Sequence, residues 1–150
     1  MSATPSSTRA PILFLVEDDY DWTFFFCTEF QKLAPRWEIV SSRDGAEAMR
    51  LLSRAVVPRV IVTDLNMPGI GGIALIEWIK NQEPFRALPL VVLSSSEDPT
   101  HRQCCANLGI NSYLVKPNSL NELRQNIRDI ITLGDASHFD SKDRNEMRCV

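Results

Sequence analysis

Short apolar runs alternate along the chain with longer stretches in which apolar residues recur every three or four positions. The runs are ILFLV (12–16), WEIV (37–40), VIVT (60–63), LVVL (90–93) and SYLV (112–115). Three of them are nearly continuous in hydrophobic residues, as parallel strands covered on both faces are. The second run is more polar, which suits a strand at a sheet edge.

Between the runs the period is helical. Trp22, Phe26, Phe30 and Leu33 share one face of a helix over 20–33. Asp19 stands where an N-cap belongs, Asp21 lies near the positive end of the helix dipole, and Pro35 ends the helix. A second helix is predicted over 44–54. A third, over 72–81, carries Ile73, Ile76 and Ile79. A fourth, over 99–109, has Pro99 in its first turn and Gly109 as its stop. The last, over 119–134, opens with the capping box Ser119 and Glu122 and offers Leu120, Leu123, Ile127, Ile130 and Ile131 to the core.

Strict strand–helix alternation implies a parallel sheet with helices on both faces. Right-handed crossovers restrict the topology. Five such units in roughly 120 residues fit a flavodoxin-like, doubly wound (βα)5 fold of strand order 2-1-3-4-5. Residues 1–10 read as a disordered lead, 11–133 as one domain, and 134–150, without clear periodicity, as a polar tail.

Composition narrows the partners. Hydrophobic residues make up 44% and charged residues 23% of the 150, and the formal net charge is -3. That charge gives no reason to expect nucleic acid as the main partner. No run of 18 apolar residues predicts a membrane-crossing helix, and the start lacks the apolar core of a secretory signal. Cys27, Cys104, Cys105 and Cys149 show no metal-ligand spacing. They read as free thiols in a reducing, cytoplasmic compartment, with a redox sensor at the vicinal pair as the alternative.

In an open parallel sheet, ligands bind beyond the carboxyl ends of the strands, where strand order reverses. Those ends carry Glu17-Asp18-Asp19, Asp64, Ser94-Ser95-Ser96 and Lys116-Pro117. The acidic triplet alone would read as a helix-start cluster, since acids favour that position. Asp64 at the end of a buried strand and Lys116 at the end of another change that reading. Two carboxylates about 5 Å apart repel by roughly 3 kcal/mol at an effective dielectric near 20. A divalent cation with oxygen ligands is the natural counter-charge, and Mg²⁺ suits it because it keeps waters for a phosphoryl oxygen. Carboxylate, Mg²⁺, hydroxyl and lysine around one point suit phosphoryl transfer.

With VEDD at 16–19, DLNMPGIGG at 64–72, Ser94 and YLVKP at 113–117, the chain resembles the receiver domain of two-component response regulators. The likeness covers about residues 11–133. It implies that Asp64 is the phosphoacceptor and that Glu17, Asp18, Asp64 and the Asn66 backbone carbonyl bind Mg²⁺. Lys116, Ser94 and backbone near Ser95 would hold the phosphoryl group. Ser94 and Tyr113 would form the switch, remodelling the fourth helix, fifth strand and fifth helix. The family usually has a cis bond at the Lys-Pro step, here Lys116-Pro117. The departures are Gly71 where many members have Asp, Ser94 for the commoner Thr, and Ser95 for Ala or Gly.

The resemblance implies a sensor histidine kinase or phosphotransfer protein as partner, and a homodimer through the fourth helix, fifth strand and fifth helix. Phe24 points away from the inward face of its helix and marks a candidate partner surface. The leading expectation is a stand-alone phosphoacceptor that signals by protein contact. A phosphate relay or sink is the alternative. A dehalogenase-type phosphatase belongs to another class, and it would want an Asp where Asn66 stands. GINSYLVKPNSLNEL adds a weaker resemblance to small receivers paired with bacterial phytochromes. His101 and His138 read as surface histidines.

Overall fold

Unbroken apolar runs form the strands, and three-to-four periodicity forms the helices that cover them. A computed structural model of the chain describes residues 9–54 and 57–148, with side chains as far as 136. Most of the expected lead at 1–10, and Cys149, lie outside the described residues. The elements are β1 (Ile12–Val16), α1 (Tyr20–Leu33), β2 (Glu38–Ser42), α2 (Gly45–Arg54), β3 (Val60–Thr63), α3 (Gly72–Lys80), β4 (Leu90–Ser94), α4 (Pro99–Asn107), β5 (Ser112–Val115) and α5 (Leu120–Arg148). All strands pair in parallel, in the order β2-β1-β3-β4-β5. This is the predicted flavodoxin-like order, with the more polar β2 at one edge. The register sets Val16 against Thr63 and Ser94 against Val115, so the strands' carboxyl ends lie along one rim.

Strand alternation divides the core in two. Leu13, Leu15, Val60, Val62, Val91 and Leu93 face α1 and α5, meeting Phe26, Phe30, Leu123, Ile127 and Ile130. Phe14, Val16, Ile61, Leu90 and Val92 face the other layer, meeting Ala48, Leu52, Leu75, Ile76 and Ile79. Each such side chain contributes about 1.5–3 kcal/mol on burial, so the sheet is a stiff platform for its rim. Two expectations shift. Trp37 precedes β2 instead of starting it, and packs edge-on to Phe30 with ring centroids 5.6 Å apart. Leu120 is 39% exposed, not core, because it opens α5 before the helix reaches the sheet.

The caps behave as their residue types predict. Asp19 accepts from Trp22 N, Asp98 from Thr100 N, and Ser119 from Glu122 N. Gly109 ends α4 with φ 86°. Gly134 does not end α5, which continues to Arg148 where a tail was expected. The glycine serves a close approach instead: a Cβ there would lie 2.7 Å from Trp37 Cη2. The ends of α1 and α5 are also tied by buried Glu29, which accepts from Lys32 Nζ at 3.0 Å and Arg124 Nε at 3.2 Å. These partners, Lys32 foremost, hold the Glu29 pKa below the usual carboxylate value.

Candidate functional site

The rim acids are held by the sheet itself. Glu17 N donates to Ser42 O and Asp64 N to Val16 O, both at 3.0 Å, extending the ladders one residue past β1 and β3. Thr63 Oγ1 donates to Asp64 O at 2.8 Å. The Asp64 side chain is therefore fixed at its base. Its Oδ1 accepts from Leu65 N at 2.6 Å and Asn66 N at 3.4 Å, while Oδ2 faces Lys116 Nζ at 3.2 Å. The loop then turns away through Gly69, at φ 73°. Gly72 lies so close to the Asp64 carbonyl and Leu65 Cα that no Cβ fits there. Gly45 likewise packs on Ile70, where a Cβ would lie 2.6 Å from its carbonyl oxygen. Gly71 meets no such demand: it caps α3 with φ -77° and makes no side-chain cap bond.

Lys116 reaches inward from the end of β5. Its Nζ lies 2.6 Å from Glu17 Oε1 as well as 3.2 Å from Asp64 Oδ2. It does so from a trans peptide: every described peptide bond, Lys116–Pro117 included, is trans, where a cis bond was expected. Glu17 is buried and also accepts from Asp19 N at 3.1 Å. Burial pushes its pKa up to about 7, opposed by the hydrogen bond from Lys116 and reinforced by the charge of Asp64. The same two acids raise the Lys116 pKa above its ordinary value, against the burial that would lower it. Asp18 is exposed, yet one ligand oxygen from each of Glu17, Asp18 and Asp64 lies within 4.8 Å of the others. Three hard oxygen donors on a rigid rim, one of them open to solvent, fit a small divalent cation that keeps waters.

The serine run divides by role. Ser94 is fully buried and its Oγ accepts from Ser96 N at 3.2 Å, while Lys116 N donates to Ser94 O at 2.8 Å. Ser95 is exposed at the same rim. Ser96 is a junction: its carbonyl accepts from Tyr113 Oη at 2.8 Å, and its Oγ pairs with His101 Nδ1 at 2.8 Å. Arg102 stacks on the Tyr113 ring, 4.7 Å from its centroid. Tyr113 is thus tied to the loop that follows Ser94, and His101, expected to be unremarkable, pins that loop to α4.

Sequence reasoning missed one further neighbour. The Trp22 ring, assigned by helical spacing to the inward face, also lies 5.1 Å from Lys116 Nζ. The only signal was an aromatic residue in the first turn after VEDD, and nothing local ties it to a lysine four strands later in the chain. On α1, Phe24 is 74% exposed, with Phe25 next to it in sequence at 42% and Tyr20, one turn earlier, at 62%. Cys27, Cys104 and Cys105 are free thiols, so the vicinal pair does not bridge. No described helix is long and apolar enough to cross a membrane.

Comparison with known proteins bears on the family and the fold. The family model for the response regulator receiver domain matches residues 13–128. A probable methanogenesis regulatory protein, FilR2 of Methanothrix harundinacea, is 33% identical over 125 residues, which are 79% of this chain and 80% of that protein. The hybrid signal transduction histidine kinase D of Dictyostelium discoideum is 30% identical over 129 residues, or 86% of this chain, but the match spans only 8% of the kinase. The crystal structure of the phosphorylated cyanobacterial phytochrome response regulator RcpA superposes with a TM-score of 0.74 at 30% identity, covering 80% of this chain and 90% of that one. The Mn²⁺-bound response regulator Rcp1 gives 0.69 at 26% identity, covering 80% and 91%. The chain belongs to the response regulator receiver domain family.

Proposed function

We propose that Asp64 accepts a phosphoryl group from a phosphohistidine on a sensor histidine kinase or phosphotransfer protein. The carrying observation is a carboxylate fixed at the end of β3, 3.2 Å from Lys116 Nζ and within ligand reach of Glu17 and Asp18. An Asp64 oxygen attacks phosphorus, the phosphorus–nitrogen bond breaks, and the imidazole leaves with the electron pair. Charge compensation would come from Mg²⁺ held by Glu17, Asp18, Asp64 and the Asn66 backbone carbonyl. Lys116 and the Ser94 hydroxyl would bind phosphoryl oxygens, with backbone near Ser95 closing the cradle. Attack by water on the acyl phosphate would return the carboxylate, with Asn66 and Ser96 beside its path.

The switch follows from what Ser94 must give up. Its Oγ accepts from Ser96 N, so turning to the phosphoryl group releases the loop that Tyr113 and His101 hold. One local charge change then biases a two-state loop. The surface that would change is α4–β5–α5, where a target protein or a second copy would bind. The exposed aromatics of α1, Phe24 among them, are the proposed docking side for the phosphodonor. Phosphohistidine donors and free thiols both suit the cytoplasm. Phosphate relay without further output uses the same chemistry.

The test is acetyl phosphate with Mg²⁺. Stoichiometric labelling lost in Asp64→Asn and kept in Asp19→Asn is the expected result. Labelling that survives without Asp64 overturns the assignment.

A further inference from the structure

Among the described residues, the Lys116 ammonium meets Glu17 Oε1 at 2.6 Å, Asp64 Oδ2 at 3.2 Å and the Trp22 ring, its centroid at 5.1 Å. The two carboxylates belong to the group whose ligand atoms converge within 4.8 Å. A cation placed there would draw on the same two carboxylates that now hold the lysine. The indole is the one neighbour of the three that no metal would claim.

The ring is also well placed to keep its position. Trp22 lies in the first turn of α1, where its own N–H is bound by the Asp19 cap at 3.0 Å. It packs against the apolar layer shared by α1 and α5, and Phe25 meets it edge-on at 6.2 Å. A partly desolvated ammonium within about 6 Å of an aromatic face is attracted by the ring quadrupole, and tryptophan is the strongest such face.

We propose that Trp22 is a positioning residue of the phosphoryl site: its indole face holds the Lys116 ammonium over the rim when the acids are engaged elsewhere. This rests on the reading of Asp64 as acceptor. Without the ring, Lys116 keeps its charge but gains rotamers that point to solvent, and the site must order it anew for each transfer. The role is electrostatic, so it follows the π face and not the bulk of the side chain.

Two variants of the full chain separate these. Trp22→Phe keeps a ring and Trp22→Leu keeps only apolar bulk. With acetyl phosphate as donor no protein docks, so α1 contacts do not enter. Trp22→Leu should label about three- to tenfold more slowly than wild type at saturating Mg²⁺, with unchanged Mg²⁺ dependence. Trp22→Phe should recover most of the rate. Independently, the Lys116 ε-methylene protons should be shifted upfield by the ring current in wild type, and return towards ordinary lysine values in Trp22→Leu. Equal loss in both variants, no loss in either, or an ε-methylene signal unmoved by Trp22→Leu would each overturn the proposal. Should wild type take no phosphate on Asp64, the acceptor reading fails, and the ε-methylene shift still decides whether the indole holds the lysine.

Discussion

Lys116 Nζ lies 2.6 Å from Glu17 Oε1, closer than its 3.2 Å approach to Asp64 Oδ2. The resting site thus stores its cation on the acid that is not the proposed acceptor. Removing that cation leaves two buried carboxylates facing each other. Lys116→Met should lower the stability of metal-free protein by about 3 kcal/mol near pH 8, because one partner of a buried ion pair is gone. It should also tighten Mg²⁺ binding, since the competing ammonium is absent, and slow labelling by acetyl phosphate at least about tenfold. Urea unfolding with and without Mg²⁺, beside a labelling time course, measures all three.

Glu17 makes metal-free stability depend on pH. Its pKa rises on folding from the ordinary 4.5 to about 7, chiefly through burial. Folding therefore favours the protonated acid. That contribution is complete below the unfolded value and is lost as pH rises through the folded one. Wild type in a chelator should lose up to about 3 kcal/mol between about pH 4.5 and about pH 8 that Glu17→Gln does not lose. Below about pH 7 Mg²⁺ binding must also displace this proton, so its affinity should climb with pH up to that point. Calorimetry in buffers of different ionisation enthalpy would count the proton released.

Adjacent glycines in the loop after Asp64 should respond in opposite ways. A Cβ at Gly72 runs into the Asp64 carbonyl and Leu65 Cα, both backbone. Gly72→Ala should cost about 1–3 kcal/mol and displace Asp64 enough to slow labelling. Gly71 has ordinary φ and an unused N-cap position, and a Cβ there would meet Leu65 O at an acceptable 3.5 Å. Gly71→Asp should stabilise α3 by a few tenths of a kcal/mol, as a side-chain cap does over glycine, and leave labelling intact. Thermal melts of the two variants should move in opposite directions.

Gly134 offers a test of the long last helix. Alanine in a helix interior normally gains about 1 kcal/mol over glycine. Here its Cβ would sit 2.7 Å from the tip of Trp37, a buried ring with little room to retreat. Gly134→Ala should therefore destabilise the protein despite its better propensity. Gly134→Ala combined with Trp37→Phe should recover part of the loss, because the tip that clashes is removed.

The sequence made most of the rim legible because the signals there are local. Asp64 follows an unbroken apolar run and precedes a glycine-rich turn, so its place at a strand end is a matter of period and turn chemistry. The same holds for Glu17, Ser94 and Lys116. The exceptions all involve distant partners. Gly134 reads as the last residue of its helix until Trp37 is seen beneath it. His101 reads as surface until the turn after β4 brings Ser96 to 2.8 Å. Leu120 fits the apolar stripe of α5, but the stripe meets the sheet only from Leu123 onward.

By itself, the sequence determined the alternation of strands and helices, the polar edge strand, the helix caps and which strand ends carry charge. These depend on side-chain period and on hydrogen bonds within a few residues. Tertiary structure alone decided how those ends divide their labour. Parallel pairing brought Glu17, Asp64 and Lys116 to one point, burial then separated protonable Glu17 from exposed Asp18, and packing laid Trp22 across the lysine. Distance and desolvation set those relationships, and neither is defined until the strands have paired.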